Sequence, residues 1–116
     1  MSLVVRAFPL LPGKEEELRQ FAAECSGQRR AEAGEFYGSF VVAHESWHLQ
    51  QTPNGALVIA VTELGEPAEA TAQRYAASNA PFDRWFKDQV KRLTGIDPDS
   101  EPLGPPTEEV FSFSAR

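Results

Sequence analysis

The chain of 116 residues is poor in cysteine, histidine and basic charge. Its one cysteine, Cys25, excludes an intrachain disulfide. With 11 basic against 17 acidic residues, the net charge of −6 disfavours nucleic acid and anionic membranes as partners. No apolar run could span a bilayer, and the N-terminus lacks the uncharged core of a signal peptide. We therefore expect a cytoplasmic protein with one domain, residues 1–116, and neither nucleic-acid nor membrane partners.

Sequence motifs typical of cofactor binding, metal binding or nucleophilic catalysis are also absent. There is no Gly-rich phosphate loop, no paired-cysteine metal pattern and no nucleophilic serine elbow. The acidic segment 97–101 lacks the glycine and the terminal glutamate of a calcium loop. A histidine could supply one axial nitrogen to haem, but no enclosed haem site can be read from the sequence. We expect no metal and no cofactor.

The strongest local signal that is present is Asn54-Gly55, which lies between two β-branched, apolar runs at 40–51 and 56–64. Asn-Gly favours a type I′ turn because both central residues need a positive φ. The sequence therefore predicts a tight hairpin between adjacent strands. Two further strands are predicted at 3–8 and, after a proline-rich connector, at 110–113.

Helical patterns separate these strands. One helix is predicted from Lys14 to a point between Gly34 and Gly38, and a second region opens at Glu66-Pro67 and breaks at 79–81. The last helix has an apolar stripe and a C-terminal cap at Gly95; the stripe comprises Phe82, Trp85, Phe86, Val90 and Leu93. The order βαββαβ predicts an α+β, ferredoxin-like fold: a four-stranded antiparallel sheet with helices on one face.

Three segments carry a resemblance to known proteins: Glu45-Ser46-Trp47-His48-Leu49-Gln50, the run at 82–87, and Leu93-Thr94-Gly95-Ile96-Asp97. With the element order, they resemble a small uncharacterised bacterial family of the dimeric α+β barrel superfamily. That superfamily includes antibiotic-biosynthesis monooxygenases, stress-responsive barrel proteins and haem-degrading enzymes. The resemblance implies two sheets paired face to face, with a small-molecule pocket between them.

The strand sequences themselves also predict a homodimer. Both faces of the inner strands carry apolar residues, yet one layer of helices covers only one face. A monomer would expose an apolar patch larger than single chains usually tolerate. Two-fold pairing of the bare faces removes that patch from water.

His44 and His48 are the candidate catalytic and ligand-binding residues. They share a strand face, but their backbones are about 13 Å apart, which is too far for one metal ion. They either line a half-polar sheet face, satisfied by water or neighbours, or provide acid–base chemistry and ligand orientation. If a pocket exists, we expect it at this face, with Trp47 and Leu49 on the opposite, helix-facing side.

Arg6 is the third candidate ligand-binding residue. Its strand neighbours Val4 and Phe8 are apolar, and an unpaired charge there is costly. One interpretation is a structural ion pair with Glu45 or Glu63. The other is an anchor for an anion or carboxylate in a cavity.

Two functions stay open from the sequence. The first is a homodimer that binds a small, partly apolar molecule between its sheet and its partner. The alternative is a cofactor-independent monooxygenase or isomerase that acts on a small organic substrate. No set of nucleophile, base and orienting group can be assembled from neighbouring positions, which favours binding.

Overall fold

The computed structural model describes residues 2–115 of the chain, which form three strands and four helices. In chain order these are β1 (Ser2–Pro9), α1 (Glu15–Ser26), α2 (Arg30–Ser39), β2 (Val42–Thr52), β3 (Gly55–Leu64), α3 (Ala68–Ala77) and α4 (Pro81–Thr94). The strands make one antiparallel sheet in the order β1-β3-β2. The α+β class is confirmed.

The predicted four-stranded sheet is wrong. Pro106 bridges Arg6 at the outer edge of β1, and the Thr107 hydroxyl donates to the Val5 carbonyl oxygen at 2.6 Å. Beyond this point 110–113 is not a strand, and its three large apolar side chains are 80–85% exposed. The ferredoxin-like βαββαβ arrangement therefore lacks its last strand. The predicted dimeric α+β barrel, which needs four strands in each sheet, lacks the same strand.

Register explains why the segment does not complete the sheet. Four residues beyond the Pro106–Arg6 bridge, antiparallel pairing would set Val110 opposite Ser2, the first residue of β1. Phe111 and the residues after it would extend past the start of that strand. The prolines of the connector also lack the N–H group that a strand ladder needs.

The predicted hairpin is confirmed, but its turn differs. Thr52 pairs with Gly55, so the two loop residues are Pro53 and Asn54. Proline holds φ near −65°, and among residues 2–115 only Val41 and four glycines have a positive φ, so the turn is not type I′. The Thr52 hydroxyl donates to the Gly55 carbonyl at 2.6 Å and accepts from the Asn54 N–H at 3.1 Å.

The first predicted helix is two helices. The chain breaks at 27–29 between α1 and α2, where the Gly27 N–H bonds back to the Glu24 carbonyl. The predicted break before Pro81 and the cap after α4 are both confirmed. Gly95 has φ +78°, and its N–H donates to the Lys91 carbonyl.

A bulge at the start of β2 decides which side chains face the helices. Val42 pairs with Leu64 and His44 with Glu63, so Ala43 is the extra residue. Val42 consequently faces the helices, whereas strict alternation from His44 would put it on the histidines' face. From His44 onward the predicted alternation holds.

The sheet therefore has two unlike faces. All four helices pack on one of them, named here the inner face: Val4, Arg6, Phe8, Val42, Glu45, Trp47, Val58, Ala60, Thr62 and Leu64. The other is named the open face: Leu3, Val5, Ala7, His44, Ser46, His48, Leu57, Ile59, Val61 and Glu63.

Aromatic rings fill the space between the inner face and the helices. Phe86 of α4 lies 4.6 Å from Phe36, 5.1 Å from Phe21 and 6.0 Å from Trp47, measured between ring centroids. The predicted packing of Trp47 against the α4 stripe is thus confirmed. Beside the cluster, the fully buried Lys87 ammonium donates to the Tyr75 carbonyl at 2.8 Å, which fixes the end of α3 on α4.

Candidate binding cavity

A cavity of about 130 Å³ lies between the inner face and the helices, and part of its wall is open. The lining is almost wholly apolar, with aromatic rings from α1, α2, α3 and α4. For scale, an engineered apolar cavity of about 150 Å³ binds benzene. The lining in this protein includes Arg6 of β1, Tyr37 of α2, Glu45 and Trp47 of β2, and Ala60 and Thr62 of β3.

Glu45 of β2 is the centre of the polar groups on one side of the cavity. Its Oε2 accepts hydrogen bonds from the Tyr37 hydroxyl at 2.6 Å and from Trp47 Nε1 at 2.8 Å. Its Oε1 accepts from the Thr62 hydroxyl at 2.8 Å, across the register pair that joins β2 and β3. An ionised carboxylate is acceptor-only, so three donors suit it.

The tyrosines beside this carboxylate are held in their protonated form. Burial, followed by the charge of Glu45, raises the pKa of the Tyr37 phenol well above its ordinary value. The same two causes raise the pKa of Tyr75. Tyr37 therefore acts as a hydrogen-bond donor here.

Arg6 lies on the opposite side of the cavity, on the edge strand β1. It pairs in register with Ala60 of β3, which in turn pairs with Trp47 of β2. Glu45 is two strands away, about 10 Å or more across the sheet, and makes no ion pair with Arg6. Of the two interpretations from the sequence, the structural ion pair is absent among residues 2–115.

The two histidines lie on the open face and are exposed. His44 pairs with Glu63 and His48 with Ile59, while His48 Nε2 is 3.0 Å from the Ser46 hydroxyl. His48 also borders a small groove at the β2 edge, beside Arg19 of α1. The structure does not bring the histidines together with Arg6, and the main cavity is on the other face. Their catalytic and ligand-binding roles stay predictions.

Sequence reasoning missed the group around Glu45. The available signal was its phase: Glu45 falls on the same strand face as Trp47 and Leu49, which were predicted to meet the helices. A carboxylate at such a position needs donors. Tyr37, from α2, could not be assigned to it without knowing how the broken first helix packs.

The described part of the chain has neither a metal-binding cluster nor a membrane-spanning helix. Residues 2–115 contain no group of three or more histidine, cysteine, aspartate or glutamate side chains placed to hold a metal ion. None of their helices combines the length and apolarity needed to cross a bilayer.

Comparison with protein-family models, with curated proteins and with solved structures yields no match to this chain. The resemblance to the dimeric α+β barrel superfamily therefore stays a prediction, based on the sequence segments that suggested it.

Proposed function

We propose that this protein binds a small, partly apolar molecule in the cavity between its sheet and its helices. The observation that carries the proposal is the cavity itself: well-packed interiors have few voids larger than a water molecule, and this one is lined mainly by aromatic and aliphatic groups with a few polar side chains among them. Such a lining is the usual composition of a small-molecule site.

The sequence placed the ligand between the sheet and a partner subunit. The proposal moves it to the inner face, because the cavity is there. Binding on this side does not depend on a second copy, so ligand binding and dimer formation can be tested separately.

Ligand binding is tested with toluene, an uncharged probe that fits an apolar space of this size. Trp47 lines the cavity, so its fluorescence should change saturably as toluene is added, and the melting temperature should rise. Ala60→Leu should fill the cavity and abolish both responses. Ala7→Leu is the matched control, because Ala7 lies one position from Arg6 on the open face. No saturable response in the unaltered protein would refute the proposal.

We also propose that the protein is a cytoplasmic homodimer that pairs through the open face. The central strand places Leu57, Ile59 and Val61 on that face, where no helix covers them. The segment at 110–113 leaves its own sheet with Phe111 and Phe113 about 80% exposed. In a dimer, the apolar open face and the apolar segment at 110–113 of one copy can both be covered by the other copy.

Light scattering at micromolar concentration tests the dimer. The expected mass is twice the chain mass of 12.8 kDa. The double variant Phe111→Ser and Phe113→Ser should weaken the dimer. A chain-mass particle for the unaltered protein would overturn the dimer, and an unchanged dimer in the variant would overturn the part given to the segment.

A second candidate function, a cofactor-independent isomerase or monooxygenase, is favoured by one observation. The Tyr37–Glu45 pair, 2.6 Å between oxygens, borders the cavity and combines a carboxylate with a phenol. A carboxylate so placed can remove a proton from one carbon of a bound substrate and return it to another, which is the chemistry of an isomerase, while the Tyr37 hydroxyl holds the carboxylate in place by its hydrogen bond. Exchange of solvent deuterium into a bound carbon acid tests this function, and the exchange should require Glu45. If the unaltered protein catalyses no exchange, the enzyme candidate is refuted and only the binding function remains.

A further inference from the structure

Arg6 is unlike the other arginines of the described chain. Five of them lie within 4.0 Å of a carboxylate: Arg19, Arg29, Arg74, Arg84 and Arg92. Arg30 has no such partner, but it is exposed on α2. Arg6 is half-buried, lines the cavity and makes no ion pair with any residue from 2 to 115.

Its hydrogen bonding is also incomplete. A guanidinium has five N–H donors, and Arg6 makes one hydrogen bond, from an η nitrogen to the Val5 carbonyl at 3.2 Å. Its Nε is buried and, among residues 2–115, is the one buried side-chain nitrogen or oxygen without a hydrogen-bond partner. Partial burial also lowers the pKa of Arg6 from its ordinary value. A cation in this position would be stabilised by a bound anion, which supplies the negative charge and the hydrogen-bond acceptors that the protein does not provide.

Glu45, the other charged side chain on the inner face, does not meet this need. Its two oxygens already accept from Tyr37, Trp47 and Thr62. It is also separated from Arg6 by the whole width of β3. The carboxylate of Glu45 on one side of the cavity thus has its hydrogen-bond donors, whereas the guanidinium of Arg6 on the other side has N–H groups without acceptors.

We propose that the ligand of this cavity is a small carboxylic acid with an apolar body, bound as the anion by Arg6. The inference rests on the proposed function and names its ligand class. A planar guanidinium offers two parallel N–H groups that match the two oxygens of a carboxylate. The apolar body, about the size of one aromatic ring or a short alkyl chain, lies against the rings of the inner cluster, and the head group meets Arg6 at the β1 edge.

The test compares benzoate with toluene, two probes that share a ring and differ in charge. Calorimetric titration at pH 7 should give benzoate an affinity at least about tenfold above that of toluene, the gain expected of a charge-assisted hydrogen-bonded pair. Arg6→Met keeps much of the apolar stem and removes the charge. It should lower benzoate affinity by about the same factor without lowering toluene affinity, because toluene has no charge for Arg6 to bind.

Arg30→Met is the matched control and should leave both affinities unchanged, because Arg30 is exposed on α2. If toluene binds and benzoate binds no more tightly, the carboxylate inference is overturned and the proposed function stands. Equal benzoate binding by the unaltered protein and Arg6→Met overturns it as well. If neither probe binds, the proposed function fails and the inference fails with it.

Discussion

The inner face and the open face belong to the same three strands but differ in how their groups are satisfied. On the inner face, apolar groups meet helices and Glu45 has three donors. On the open face, most aliphatic groups are half-buried with no helix over them, and the histidines are exposed to water. Apolar strands alone therefore do not identify a core, because the core forms only on the face that the helices cover. Arg6 is the exception on the inner face, because its buried Nε has no hydrogen-bond partner there, and the proposed ligand class is based on that exception.

The largest effect should come from the aromatic cluster of the inner face. Phe86→Ala removes a ring that contacts five others and is 5% exposed, so it should lower the free energy of unfolding by about 3–5 kcal/mol. Urea denaturation measures this. Ile59→Ala, on the open face, is the comparison, measured at a protein concentration low enough to keep the chain monomeric. An equal loss from the two variants would contradict the distinction between the faces.

Glu45 tests the polar part of the inner face. Glu45→Leu leaves the Tyr37, Trp47 and Thr62 donors without their acceptor, so we expect a loss of about 2–3 kcal/mol in urea denaturation. Glu45→Gln should recover most of it, since the amide oxygen can accept from Trp47 while the Thr62 hydroxyl turns to accept from the amide. A leucine variant as stable as the original would show that the three hydrogen bonds contribute nothing net.

Val4 and Leu3 give the most direct comparison, because they are adjacent on β1 and point to opposite faces. Val4 is 6% exposed and Leu3 is 60% exposed. Val4→Ala should cost about 1.5 kcal/mol from the lost apolar burial, and Leu3→Ala about 0.5 kcal/mol or less in a monomer. Repeating the measurement over a range of protein concentrations sharpens the test. If the open face pairs in a dimer, the cost of Leu3→Ala should grow with concentration.

Short sequence patterns predicted most of the helices and strands. The errors came from features that depend on how distant parts of the chain pack and pair. The hairpin at Asn54-Gly55 and the end of α4 at Gly95 were predicted correctly, because a turn and a helix cap each depend on a few neighbouring residues. The fourth strand failed because strand-like sequence at 110–113 does not ensure an edge of the right length to pair with. Pro53, the residue before the predicted turn, shifted the loop by one position.

The candidate site was predictable only in part, for the same reason. Arg6 followed from a charge among apolar strand neighbours, and the structure does place it at a cavity. The face assigned to that cavity was wrong: the helix-facing side of β2 was predicted correctly, but alternation within β1 cannot say which of its two faces lies on the same side of the sheet as His44 and His48. The donors to Glu45 come from α2, β2 and β3, and no local pattern joins them.

The smallest effect concerns a thiol rather than stability. Cys25 packs against the inner cluster, and burial, followed by the charge of Glu24, raises its pKa to about 11. The thiolate is the reactive form, so alkylation by iodoacetamide should be slow at pH 8 and accelerate up to about pH 11. The comparison is Ser46→Cys in a Cys25→Ser background, which places a thiol on the open face and is measured at a protein concentration low enough to keep the chain monomeric. There the alkylation rate should level off near the ordinary thiol pKa of about 8.5. Coincident pH profiles for the two thiols would mean that the inner cluster does not shield Cys25 from water.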